Sequence, residues 1–160
     1  MTDDNNYFVW LAKGGHIRTS ARAIIFDQRR EQILVEKNME IHNPFYNFIG
    51  GGVEAGETLI KYIERELSEE TNAGISEARN LFVVENFTTY EGEVRHGLEH
   101  YFDVRLDRSD IVPTNPGLLY EWIPINMLAQ VDLRPAIVRD CINDGSYQYV
   151  CHLVSNNDGT

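Results

Sequence analysis

The chain is short of positive charge. Its 160 residues hold 14 Lys and Arg against 25 Asp and Glu, a formal net charge of −11. That balance argues against a nucleic-acid polymer as partner, because a phosphate backbone calls for a basic patch. It leaves a small phosphorylated ligand open, since a metal ion can bridge acidic protein and anionic ligand. Long hydrophobic runs are missing, and none approaches the length of a membrane span. Met1 to Asn6 is acidic and polar, unlike a secretory signal. Cysteine is scarce. Without such a signal, Cys141 and Cys151 are expected to be reduced thiols in a cytoplasmic protein. Internal repeats and low-complexity linkers are also absent. What is present is ordinary apolar content and plentiful aromatic residues, 42% and 11%. Residues 1–160 are therefore expected to form one domain, with a core over about 17–154 that buries roughly two-thirds of its unfolded surface.

The densest signal runs from Gly51 to Ala73, GGVEAGETLIKYIERELSEETNA. A helix over Thr58 to Thr71 would place Glu66, Glu69 and Glu70 on one face, at i, i+3 and i+4. Leu59, Ile60, Ile63 and Leu67 form the opposite, apolar stripe. Thr58 fits an N-cap and Asn72 a left-handed C-cap. Like charges at this spacing repel by ~0.2–0.5 kcal/mol per pair on an open helix. A bound divalent cation would reverse that sign. A solvated acidic face is the competing reading of the three glutamates alone.

The residues around them decide between the two. Gly51, five residues, Glu57, seven residues, then Arg65-Glu66-Leu67-x-Glu69-Glu70 resembles the Nudix box, G-x5-E-x7-R-E-U-x-E-E-x-G-U, where U is a bulky aliphatic residue. Gly50, Glu54 and Gly56 also match common family usage. Asn72 replaces the usual final Gly, Ala73 the closing aliphatic residue, and Ile49 the Pro that often precedes the paired glycines. The resemblance implies an α/β/α sandwich around a mixed sheet. It also implies metal-dependent hydrolysis of a nucleoside diphosphate linked to another group, with Mg²⁺ or Mn²⁺ as cofactor. By the same resemblance Glu66, Glu69, Glu70 and the Gly50 carbonyl hold the metal, and Arg65 pairs with Glu57 to fasten loop to helix. The general base is Glu69 or Glu70, with Glu85, Glu93, Glu99 and Glu121 as candidates outside the box. The partner implied is a small nucleotide derivative, and homodimers are common in the family. Arg18, Arg22 and Lys37 are candidate phosphate contacts on the first two strands. Tyr90, seventeen residues after Ala73, stands near the position of a tyrosine that in the family marks diadenosine polyphosphate hydrolases. Thr88 and Thr89 stand where ADP-ribose hydrolases carry a proline. A nucleotide-sensing module that has lost catalysis is the alternative. Such modules commonly lose box glutamates, and this chain keeps them all.

Elsewhere, strands are expected over Ile17–Phe26, Gln32–Lys37, Tyr46–Ile49, Asn80–Thr88, His96–Leu106, Glu121–Ile125 and Tyr147–Val154, and a second helix over Leu133–Ile142. Tyr90 to Arg95 reads as an exposed turn, and Ser155 to Thr160 as a frayed end. His96-Gly97-Leu98-Glu99-His100 spells the inverted zinc-peptidase motif H-x-x-E-H. That chemistry needs a helix. Period-two alternation instead predicts a strand, which sends both histidines to the face opposite Glu99.

Overall fold

β1, Ile17–Phe26, lies inside the sheet because its apolar half is flanked on both edges and covered on both faces. The computed structural model describes residues 17–90 and 92–157, apart from the side chains of Tyr90, Glu93 and Asn157. β1 runs parallel to β6, Glu93–Leu106. Its other edge is shared antiparallel by β4, Ile49–Gly52, and β2, Gln32–Asn38. β3 (Tyr46–Asn47) and β7 (Leu118–Pro124) both pair with β2, and β8 (Leu133–Arg134) extends β3. On the far side β5, Ile75–Tyr90, pairs antiparallel with β6 and parallel with β9, His152–Asn157. Parallel and antiparallel ladders therefore coexist in one sheet, the mixed sheet expected.

Each face of the sheet carries a helix. Ala21, Ala23, Ile25, Leu34, Ile49 and Phe102 pack against Ile63 and Leu67 of α1, Leu59–Glu70. Ile24, Val35, Phe48, Val84 and Tyr101 share the opposite core with Val138 and Ile142 of α2, Ala136–Asp144. The result is the α/β/α sandwich expected. Burying an Ile or Leu side chain contributes ~1.5–3 kcal/mol, and Ile63 and Leu67 are wholly buried, so α1 is fixed firmly to the sheet. β6 alternates and is buried on both faces, with Phe102 and Val104 in the core under α1 and Tyr101 in the core opposite. Tyr101 is fully buried and Asp103 nearly so. Among the described residues no helix is long and apolar enough to cross a membrane.

Several boundaries differ from those expected. Thr58 caps α1, its hydroxyl accepting from the Lys61 amide at 3.2 Å. At the other end Asn72 is not left-handed. Thr71 is the extended C-cap, and Asn72 spends its side chain on the loop after β6, accepting from the Val112 amide at 2.8 Å and donating to the Asp110 carbonyl at 3.0 Å. The amide of Thr114 in the same loop donates to the Glu70 carbonyl and its hydroxyl to that of Glu69. These bonds satisfy helix-end carbonyls without a Schellman turn. The second helix starts at Ala136, not Leu133, because the residue before a proline is held extended, and Leu133–Arg134 pair with β3 instead. Ser146–Gln148 form a short 3₁₀ turn, so the last strand begins at His152, and Ser155 is buried within it, not frayed. β5 and β6 extend through most of the expected turn, leaving only residues 91–92 between them.

Candidate active site

Two of the three box glutamates turn toward the sheet. Register aligns Glu36 on β2 with Tyr120 on β7, below the C-terminal turns of α1. The Tyr120 hydroxyl donates to Glu70 Oε2 at 2.8 Å and also interacts with Glu36. Glu66, one turn earlier on the helix, interacts with the Tyr62 hydroxyl. Glu69 instead points out. Its side chain is 57% exposed and pairs with Arg65 at 3.2 Å. The helix thus splits the triplet into an inward pair, Glu66 and Glu70, and an accessible third carboxylate.

The inward carboxylates oppose one another's charge. Burial, reinforced by Glu70, pushes the Glu36 carboxyl up to about 8. Burial and Glu70 also raise Glu66. The Tyr120 phenol is raised by burial and by Glu36 and Glu70, so it stays a donor. Glu36 and Tyr120 were not foreseen from sequence. Alternation along Leu34-Val35-Glu36 could have placed Glu36 on the face of Leu34, which packs beneath α1.

Arg65 fastens the loop before α1. Its Nε donates to Glu57 Oε1 at 2.7 Å and its Nη2 to Oε2 at 3.2 Å. A bidentate pair fixes orientation as well as proximity. The glycine strand β4 is held from the sheet's other face. Arg22 donates through Nη1 to the carbonyls of Phe48 at 3.2 Å and Gly50 at 2.6 Å. Gly50 has φ +131°, and a Cβ there would fall 2.1 Å from the Ala21 carbonyl oxygen. At Gly52 a Cβ would occupy the place of the Arg18 guanidinium, which lies directly against the strand.

The remaining candidates are dispersed. Lys37 alternates away from Glu36, its ammonium standing 3.8 Å from the centre of the Tyr46 ring. The structure therefore does not bring Lys37 to the inward glutamates. Tyr46 donates to Glu121, and that bond is the main cause of a phenol pushed up to about 12. Glu121 is thus engaged on the same face as Lys37. Glu99 accepts from Tyr101 at 2.9 Å and Asn86 at 3.3 Å, while Glu85 lies 3.1 Å from His152 and 3.6 Å from His96. The Tyr90 and Glu93 side chains lie outside the described residues. His96 and His100 sit on strand β6, so the H-x-x-E-H segment lacks the helix its zinc chemistry requires.

The donor set fits a hard divalent cation. Glu36, Glu66 and Glu70 offer only oxygen, and their mutual repulsion is what a cation would relieve. Among the described residues no three His, Cys, Asp or Glu side chains are already gathered around one point. Mg²⁺ does not need that, since it keeps several waters and takes one or two carboxylates together with substrate phosphates.

A pH dependence follows from the raised carboxyls. A glutamate whose folded value is raised contributes stability that is complete below its unfolded value, ~4.3, and is lost as pH rises through the folded value. In chelator, thermal melts should therefore fall between about pH 5 and about pH 9. Glu36→Gln should flatten that decline. An unchanged slope in the variant would show that Glu36 is not its source.

The family model for the NUDIX domain matches residues 16–141. Solved structures share the fold. A MutT studied in Aliivibrio salmonicida and Vibrio cholerae is 22% identical, with a TM-score of 0.64 over 81% of this chain and 99% of its own. MutT from Bacillus halodurans is 16% identical, with a TM-score of 0.65 over 85% of each chain. An ADP-ribose pyrophosphatase from Streptococcus suis is 13% identical, with a TM-score of 0.60 over 87% of this chain and 98% of its own. A search among curated proteins finds no match.

Proposed function

The chain belongs to the NUDIX domain family and is a Nudix-type pyrophosphohydrolase; we propose that it cleaves the pyrophosphate of a small nucleoside diphosphate derivative with Mg²⁺ or Mn²⁺. The observation that carries this reading is the pair Glu66 and Glu70, turned inward on the buried carboxyl of Glu36. Glu66, Glu69, Glu70 and the Gly50 carbonyl would hold the metal, which when bound neutralises phosphate charge and acidifies water. Tyr120 fixes the direction of Glu70, and Arg65 with Glu57 fixes the loop that presents β4. The Gly50 carbonyl keeps a second lone pair beyond the one that Arg22 occupies. Arg18, lying along Gly52, is a phosphate contact, and the Arg22 guanidinium donates to the carbonyls of the glycine strand. The general base is Glu69 or Glu70. Both described cysteines are free thiols, which supports a reducing, cytoplasmic setting.

The test is a panel of nucleoside triphosphates, dinucleoside polyphosphates, nucleotide sugars and ADP-ribose, incubated with Mg²⁺ or Mn²⁺ and read by mass. Metal-dependent cleavage of one class to a nucleoside monophosphate and a phosphorylated remainder is expected. Tight nucleotide binding with no product across the panel would favour a sensing module instead.

A further inference from the structure

A cleft rich in guanidinium groups lies on the face of the sheet away from α1. It has a volume of about 400 Å³ and is lined by Arg30, Arg79, Arg105, Asp103, Glu77 and Tyr147, together with Gln148. That volume is within the roughly 300–1,000 Å³ of small-molecule sites. Three guanidinium groups against two carboxylates leave the lining net positive, in a chain whose formal charge is −11.

The cleft is built, not incidental. Arg30 sits in the left-handed region at φ +57°, above the Phe26 ring at 3.9 Å. It donates to Asp103 Oδ2 at 2.9 Å, to Oδ1 at 3.3 Å and to the Tyr147 hydroxyl at 3.0 Å. Strand register sets Arg79 opposite Asp103, to which it donates at 3.2 Å, and Glu77 opposite Arg105. One nearly buried carboxylate is therefore shared by two guanidiniums. Arg105 stands 3.8 Å from Glu77, beyond hydrogen-bond distance. A guanidinium carries five N–H donors, so Arg79 and Arg105 keep most of theirs for a ligand. Both side chains are more than half exposed, so an ion can reach them from solvent.

We propose that this cleft binds a small, multiply charged phosphorylated anion, held mainly by Arg79 and Arg105 over the rigid Arg30–Asp103–Tyr147 floor. The Tyr147 ring is buried against Phe26, so what the cleft presents is guanidinium donors, and the phosphoryl group is the part recognised. The site is distinct from the glutamates of α1, which lie across the sheet.

Calorimetric titration with inorganic pyrophosphate in the presence of chelator tests this, because without metal the glutamates of α1 repel the anion and Arg18 alone faces it there. One equivalent should bind, more weakly as salt rises. Arg79→Ala and Arg105→Ala should each weaken binding by ~10-fold or more, the scale of a lost charge-assisted bond. Arg79→Lys should restore only part, since a point charge cannot form the paired contact. Glu70→Gln should leave binding unchanged. Thermal melts of the exposed-arginine variants serve to confirm folding. Absence of binding to the folded wild type at about 10 mM pyrophosphate, far weaker than the micromolar range, would overturn the proposal. So would affinity unaltered in both alanine variants.

Discussion

Glu70→Gln should reduce turnover by at least ~100-fold, the scale of losing one positioned acid–base or charge-stabilising group. Glu70 accepts from the Tyr120 hydroxyl at 2.8 Å and faces the raised carboxyl of Glu36. The amide keeps the shape and can still meet the Tyr120 hydroxyl, so the defect is one of charge. The fold should persist, and the metal-free protein should lose no stability. Removing that charge also removes a cause of the raised Glu36 carboxyl, so the downward slope of stability with pH should lessen. Steady-state kinetics across metal concentrations, paired with thermal melts in chelator, check both halves. Full activity in Glu70→Gln would contradict the site assignment.

The largest stability effect is expected at Gly50. Gly50→Ala needs a positive φ that alanine rarely adopts, and it drives a Cβ to 2.1 Å from the Ala21 carbonyl oxygen. That oxygen is backbone in the interior strand β1 and cannot step aside. A loss of roughly 3 kcal/mol or more is expected from strain and overpacking together. In a protein of this size that lowers the melting temperature by roughly 6–12 °C. Gly52→Ala is the informative contrast. There the atoms in the way belong to the flexible end of Arg18, so stability should change by less than ~1 kcal/mol while the displaced guanidinium raises KM. Equal destabilisation in the two variants would show that the strand tolerates both in the same way.

Local chemistry made part of this molecule legible in advance. β1 follows from a run of strand formers, and its observed bounds are those expected. The frame of α1, its Thr58 cap and the Arg65–Glu57 contact all depend on residues within one turn or one loop. What the sequence concealed was set by distant pairing. Glu36 meets Tyr120 only because β2 and β7 are neighbours in register, across 84 positions of chain. Lys37, read as a phosphate contact, lies one residue further along β2 and so falls on the other face. Asn72 satisfied the rules for a helix cap, yet tertiary bonds to residues 110–114 gave its side chain another use. Pro135 moved a helix start by three residues, through the steric restriction a proline places on the residue before it.

The most direct test of the account is a turnover experiment in water enriched in heavy oxygen, with Mg²⁺ or Mn²⁺ and the nucleoside diphosphate derivative that the panel selects. Hydrolysis at phosphorus predicts one heavy oxygen in a phosphoryl group of one product, dependent on metal and lost in Glu70→Gln. Products free of the label, or label incorporated equally without metal, would contradict the mechanism drawn from Glu66 and Glu70.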